Sequence, residues 1–174
     1  MPMCLIFRVG NNYYMSSTIM HMSPGVPIMK STNLVNWEII SYAYDTLANL
    51  DELDLENGKS TYEHGSWASS LRYHNGLFYV STFAQATDKT YVYTTNDIER
   101  GPWKVAAFKP ALHDHSLFFD DDGKVYMITG SGRLRLVELD NIDNDVFGIK
   151  QGGIDQVVIE NASLPSGVVQ VCFI

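Results

Sequence analysis

Hydrophobic and polar positions alternate in short runs along most of this chain, and three of the runs share one phrase. "RVGNNYYMSST" (8–18), "YHNGLFYVSTF" (73–83) and "DDDGKVYMITG" (120–130) each read as a strand, a tight turn and a second strand. With Tyr14, Tyr79 and Tyr126 in one column, the turns fall at Gly10-Asn11-Asn12, Asn75-Gly76-Leu77 and Asp122-Gly123-Lys124. Asn-Gly and Asp-Gly accept positive φ at little steric cost, which favours tight hairpins. The flanking Tyr, Phe, Val, Ile and Thr suit a pleated, half-buried surface.

Each hairpin is followed by further strand signals. "VPIMKSTNLVNWEIISY" (26–42) and "TYVYTTNDIERGPWKVAAF" (90–108) both read strand, polar turn, Trp, strand, with Trp37 and Trp103 in matching structural roles. After the third hairpin come "LRLVELDNID" (134–143) and "DQVVIENA" (155–162). One unit is therefore about four short strands, and the Tyr column repeats at blade-sized intervals of 65 and 47 residues. Repeated four-stranded units predict an all-β protein, a β-propeller. A β-sandwich also has many short strands, but does not repeat a four-strand phrase with an aromatic marker. The predicted domain is a single partial propeller over 1–174. Blade one spans about 6–66, blade two about 67–112 and blade three about 113–165, with a divergent tail at 166–174. Residues 45–59 form an inter-strand insertion with one helical turn at most; it either shapes a site or is a solvated loop.

Composition narrows the partners. The chain has 174 residues, 45% hydrophobic and 18% charged, with net charge −8 and pI about 4.9. That disfavours nucleic acid and anionic membrane, since a polyanion is repelled and no basic stripe offsets it. A neutral small-molecule oligosaccharide remains compatible. No apolar run approaches 18 residues, and the start lacks the charged n-region of a secretory signal. Cys4 and Cys172 have no metal-ligand spacing and read as inert thiols; the sequon at Asn161 reads as a chance match. Asp120-Asp121-Asp122-Gly123 reads as a hairpin turn, because it lacks the alternating ligands and distal Glu of a calcium loop. The histidines at 21, 64, 74, 113 and 115 show no zinc-type spacing. No metal or cofactor is expected.

Taken together, "RVGNNYYMSSTIMHMSPGVPIMKSTNLVNWEI", "GSWASSLRYHNGLFYVSTF" and "HDHSLFFDDDGKVYMITG" resemble glycoside hydrolase family 43, from about Ile6 to about Pro165. The resemblance implies a five-bladed propeller, of which this chain would hold about three blades in an incomplete ring. It also implies inverting hydrolysis of xylo- or arabino-oligosaccharides, as by β-xylosidases and α-L-arabinofuranosidases. Inversion needs a carboxylate base to activate water and a carboxylic acid to protonate the leaving oxygen, about 6.5–9.5 Å apart. A third carboxylate orients the acid and raises its pKa.

Carried over residue by residue, the third carboxylate falls on Asp114 in "HDHSLF". The alternative for Asp114 is a turn residue capping backbone amides. The base belongs after Pro2 and falls on Met3, whose thioether cannot take a proton from water. The acid, in a phrase like Pro-x-Glu-Gly, has no counterpart: no Glu follows Glu160. This pattern predicts a truncated copy of a longer hydrolase, inactive as it stands. The alternatives are a non-catalytic carbohydrate-binding remnant and a fragment without function. Open blade edges predict self-association. Trp67, in "GSWASSLRY", would offer a flat apolar face to a sugar ring or else pack between blades; Ser69 stands where the family usually has Pro. Phe83 and His21, in Met20-His21-Met22, are further candidate pocket walls, with blade packing as the alternative.

Overall fold

The computed structural model describes residues 6–20, 23–142, 145–164 and 167–168. Met3 and His21 lie outside them, as do Cys4 and Cys172. The first sheet is a meander of β1 (Ile6–Val9), β2 (Asn12–Ser16), β3 (Gly25–Ser31) and β4 (Glu38–Tyr44). One helical turn, α1 (Asp51–Asp54), follows in the insertion and closes on Leu55 in the left-handed conformation. The second meander is β5 (Ser70–His74), β6 (Leu77–Ala84), β7 (Lys89–Thr95) and β8 (Lys104–Phe108). The third sheet has β9 (Ser116–Phe119), β10 (Val125–Thr129), β11 (Leu134–Ile142), β12 (Asp145–Ile149) and β13 (Asp155–Ile159). Two two-residue strands, β14 (Ser163–Leu164) and β15 (Gly167–Val168), pair with each other. The fold is all-β, three propeller blades in an open arc. First strands meet where β5 lies against β9, and fourth strands meet where β8 lies against β12.

Alternation on the strands makes the blades stack. In β6, Phe78, Val80 and Ala84 point to the first blade, while Leu77 and Tyr79 point to the third. In β7, Tyr91 and Tyr93 face the first blade and Val92 the third. Each large apolar side chain fully buried this way contributes about 1.5–3 kcal/mol. The core between the first two blades adds Tyr14, Val26, Ile28 and Leu71; the core between the last two adds Leu117, Val125, Met127 and Leu139. The Tyr column acquires a physical meaning. Tyr14 packs onto the second blade, Tyr79 onto the third, and Tyr126 occupies the same forward face of the last blade.

The turns vary around the predicted theme. Asn75 and Gly76 both have positive φ, 48° and 81°, and form the two-residue hairpin between His74 and Leu77. The third turn is wider than the Asp-Gly dipeptide predicts. The Asp120 amide bonds the Lys124 carbonyl at 2.9 Å, and Gly123 takes φ 81°. Lys124 Nζ pairs with Asp122 across this turn.

Trp37 and Trp103 each immediately precede the fourth strand, as predicted. Their indole N–H groups differ. Trp37 Nε1 donates to the Leu34 carbonyl at 3.2 Å. The second blade inserts Gly101-Pro102 before its Trp, and the matching carbonyl, Ile98, instead accepts from Ser41 Oγ at 2.5 Å. Trp103 Nε1 is buried without an acceptor among the described residues.

The third blade departs from four strands. β12 pairs with the later half of β11 and β13 with its earlier half. The segment "DVFGI" that forms β12 was not among the sequence-predicted strands. Glu138, 5% exposed, sits at the junction of the halves. It accepts from Lys150 Nζ at 2.6 Å and from the Ile154 amide at 3.0 Å, which holds the 150–154 turn to β11.

Arg72 joins the second and third blades at their first strands. Its Nε donates to the Leu117 carbonyl at 2.9 Å and its Nη2 to Ser116 Oγ at 2.8 Å. Both acceptor residues are buried. Arg72→Met should lower unfolding free energy by about 2–3 kcal/mol, because it strands buried acceptors. The urea midpoint checks this, and an unchanged midpoint would show the contact to be dispensable.

Candidate active site

The residue singled out as the third carboxylate, Asp114, lies in the short connection between β8 and β9. This connection is pinned from several sides. Leu112 N donates to Thr90 Oγ1 at 2.9 Å, and Thr90 Oγ1 donates to the Pro110 carbonyl at 2.9 Å. The His113 carbonyl accepts from Gly130 N at 2.9 Å and from Thr129 Oγ1 at 2.6 Å. Between these anchors Asp114 adopts φ 45°. A left-handed residue other than Gly costs about 1–2 kcal/mol, and Asp is among the residues that tolerate it best. The Asp114 side chain is 17% exposed, and its Oδ2 lies 3.4 Å from His113 Nδ1.

An aromatic group stands beside it. Trp67, half-buried, lies with its ring 6.0 Å from Phe83 and 5.9 Å from His113; Phe83 lies 5.1 Å from His113. Trp67 is held like a strand residue beside the end of β6: its amide donates to the Phe83 carbonyl at 2.9 Å, and its own carbonyl accepts from Thr82 Oγ1 at 2.9 Å. Its indole N–H donates to the Glu63 carbonyl at 2.9 Å. The N–H is therefore committed to backbone, and what Trp67 has left to offer a ligand is ring surface. Phe83 is 1% exposed and backs the other two rings. Ser69, at the position noted above for Pro, is buried and meets Ser16 Oγ at 2.8 Å, tying the segment to the first blade.

Thus Asp114, Trp67 and Phe83 come together, and His113 joins them although the sequence reading gave it no role. His21 lies outside the described residues. So does Met3 at the base position. A cavity of about 280 Å³ touches the group from one side, where Leu112, His113, Thr129 and Arg133 line it. Among the described residues, no cluster of three or more His, Cys, Asp or Glu could hold a metal ion.

His115, too, has no role in the sequence reading. It is 1% exposed, and both ring nitrogens are engaged: Nδ1 lies 2.7 Å from the Leu112 carbonyl and Nε2 2.9 Å from Ser81 Oγ on β6. A carbonyl only accepts, so Nδ1 carries the proton and Nε2 accepts from the serine hydroxyl. Burial, partly opposed by the bond to the Leu112 carbonyl, pushes the imidazole from 6.5 down to about 4. A sequence signal for its burial existed: His115, just before β9, alternates with Leu117 and Phe119 on that strand, and the latter two pack in the core between the blades.

Comparison with known proteins gives the family. The model of Glycosyl hydrolases family 43 matches residues 2–160. The chain belongs to this family. A β-xylosidase of Formosa agariphila is 37% identical over 130 residues, covering 71% of this chain and 21% of its own length. An α-L-arabinofuranosidase of Bacteroides ovatus, BoGH43B, is 30% identical over 127 residues, covering 71% of this chain and 23% of its own. Among solved structures, a bifunctional GH43-CE protein of Bacteroides eggerthii superposes with a TM-score of 0.89 at 60% identity, over 94% of this chain and 21% of that one. The GH43 protein BlXynB of Bacillus licheniformis, as a K247S mutant, superposes with a TM-score of 0.75 at 26% identity, over 91% of this chain and 31% of that one. The chain therefore spans between a fifth and a third of the length of these relatives.

The His115 shift carries a sign. Its folded-state pKa is depressed, so its contribution to stability is intact above about pH 6.5. It is lost progressively as pH falls towards 4, where the unfolded chain takes up the proton first. The full loss is roughly 3 kcal/mol. Thermal midpoints measured between pH 7 and pH 4 should fall, and His115→Gln should flatten that dependence. An equally steep fall in the variant would assign the effect to other groups.

Proposed function

We propose that this chain carries part of the sugar subsite of a family 43 glycosidase acting on xylo- or arabino-oligosaccharides. Asp114 would serve as the carboxylate that orients the general acid, and Trp67 as the apolar platform under the sugar ring. The observation that supports this most is the grouping of Asp114, His113 and the half-buried Trp67 ring at one end of the second and third blades. The relatives named as a β-xylosidase and an arabinofuranosidase support this substrate class.

The proposed chemistry is a single displacement. A base draws a proton from water as it attacks the anomeric carbon, and an acid protonates the departing oxygen on the opposite face. A third carboxylate held nearby disfavours ionisation of the acid and keeps it protonated at working pH. Residues 1–174 offer Asp114 for the third task and Met3 at the base position. A missing acid or base alone costs about 10²–10⁴ in rate. These 174 residues should therefore bind without turnover. Phe83 would act through Trp67, as the ring that fixes its plane.

The reading can be tested directly. Calorimetry with xylobiose should show weak binding, lowered about tenfold by Trp67→Ala, the scale of one lost aromatic contact. Release of nitrophenol from nitrophenyl xyloside should stay at the buffer blank. Binding indifferent to Trp67→Ala would remove the platform role, and clear release would show that another carboxylate serves as base.

A further inference from the structure

We infer that His115 is the positioning residue for Asp114: its neutral imidazole, tied to Leu112 on one side and to Ser81 on the other, holds the residue before it in its left-handed backbone conformation. The inference deepens the reading of Asp114 as the orienting carboxylate and rests on it for its functional meaning.

The argument is one of constraint. A left-handed backbone at a residue other than Gly persists only where its surroundings over-determine it. On the upstream side of Asp114 that condition is met by the His113 carbonyl, which takes two hydrogen bonds from the end of β10. On the downstream side the chain enters β9, and the first fixed point there is the His115 ring. Its Nδ1–H donates back across Asp114 to the Leu112 carbonyl and closes a loop over residues 112–115. Its Nε2 accepts from Ser81, which is fully buried in the middle of β6, and so ties that loop to the rigid second blade. Asp114 is thus clamped between β10 on one side and β6 on the other. Its carboxylate takes no part in the clamp. Among the described residues its close polar contact is with His113.

Two features separate this from ordinary packing. Both bonds at once need a side chain that presents a donor on one side and an acceptor on another, and neutral imidazole is such a group. The groups packed around His115 are few and identifiable. Ser81 and Leu112 bond it, Phe83 lies 6.0 Å from it edge-on, and the titratable neighbours are His113 and Asp114. An apolar residue of similar size could fill this space, yet it would leave the Leu112 carbonyl and the Ser81 hydroxyl without the bonds that define the loop.

The test uses the labelled 174-residue chain and the NMR markers of positive φ at Asp114, namely its one-bond Cα–Hα coupling and its short amide-to-Hα distance. Wild type should show them. His115→Leu should lose them, and His115→Gln, whose amide again offers a donor and an acceptor, should restore them. Persistence of the markers in His115→Leu would overturn the inference. Their loss in a folded His115→Gln would overturn it as well, since ring shape rather than hydrogen bonding would then be responsible. If His115→Leu does not fold, Ser81→Ala decides: weakened markers support the clamp, and unchanged markers reject it. Xylobiose is titrated into wild type separately. A chain that shows the markers but ignores the sugar would refute the subsite reading while leaving the backbone clamp standing.

Discussion

The two inner strands of the middle sheet, β6 and β7, are covered on both faces. Phe78, Val80, Tyr91 and Tyr93 need the first blade, and Tyr79 and Val92 need the third. Covering both faces at once is the constraint from which the arc follows, since one sheet can satisfy it only by sitting between two others. Strand alternation meets this demand with adjacent residues of the same strand, so the two cores cannot form in different registers. A slip of one residue would exchange them.

The candidate site hangs from that constraint. Trp67 is bonded to the end of β6, His115 reaches Ser81 in its middle, and the chain leading to Asp114 is tied through Thr90 to β7. The aromatic ring, the carboxylate and the imidazole come from different stretches of sequence, yet all are tied to the second blade, and the carboxylate's segment to β10 as well. Arg72 and Ser70 then fasten the start of β9 to β5, with the Leu117 amide 3.3 Å from Ser70 Oγ. What precedes and follows Asp114 is therefore hydrogen-bonded to the sheets on either side.

Much of this was legible in the sequence. The Asn75-Gly76 turn, the single helical turn of the insertion and the Trp before the fourth strand of the first two blades are local features, written in residues that tolerate or demand one backbone geometry. The phrase around Asp114 was legible as a family resemblance. What escaped depended on contacts between distant residues. The outer position of the third blade is shared by β12 and β13 because Glu138 anchors a turn twelve and more residues away, and no periodicity announces that. His113 joins the aromatic group only once β6 and β10 are in place. The contact of the Ile98 carbonyl with Ser41 likewise comes from another blade, and nothing local to the Trp103 phrase announces it.

The left-handed backbone at position 114 and the carboxylate role proposed for it together set a double requirement on which residue can stand there. Glu would bring the same charge. It would also be a poorer occupant of that region of conformational space, and its extra methylene would carry the oxygens away from where the short side chain leaves them. Asn would suit the backbone and lack the charge. On the role proposed for Asp114, shape and charge restrict this position independently, and Asp satisfies both.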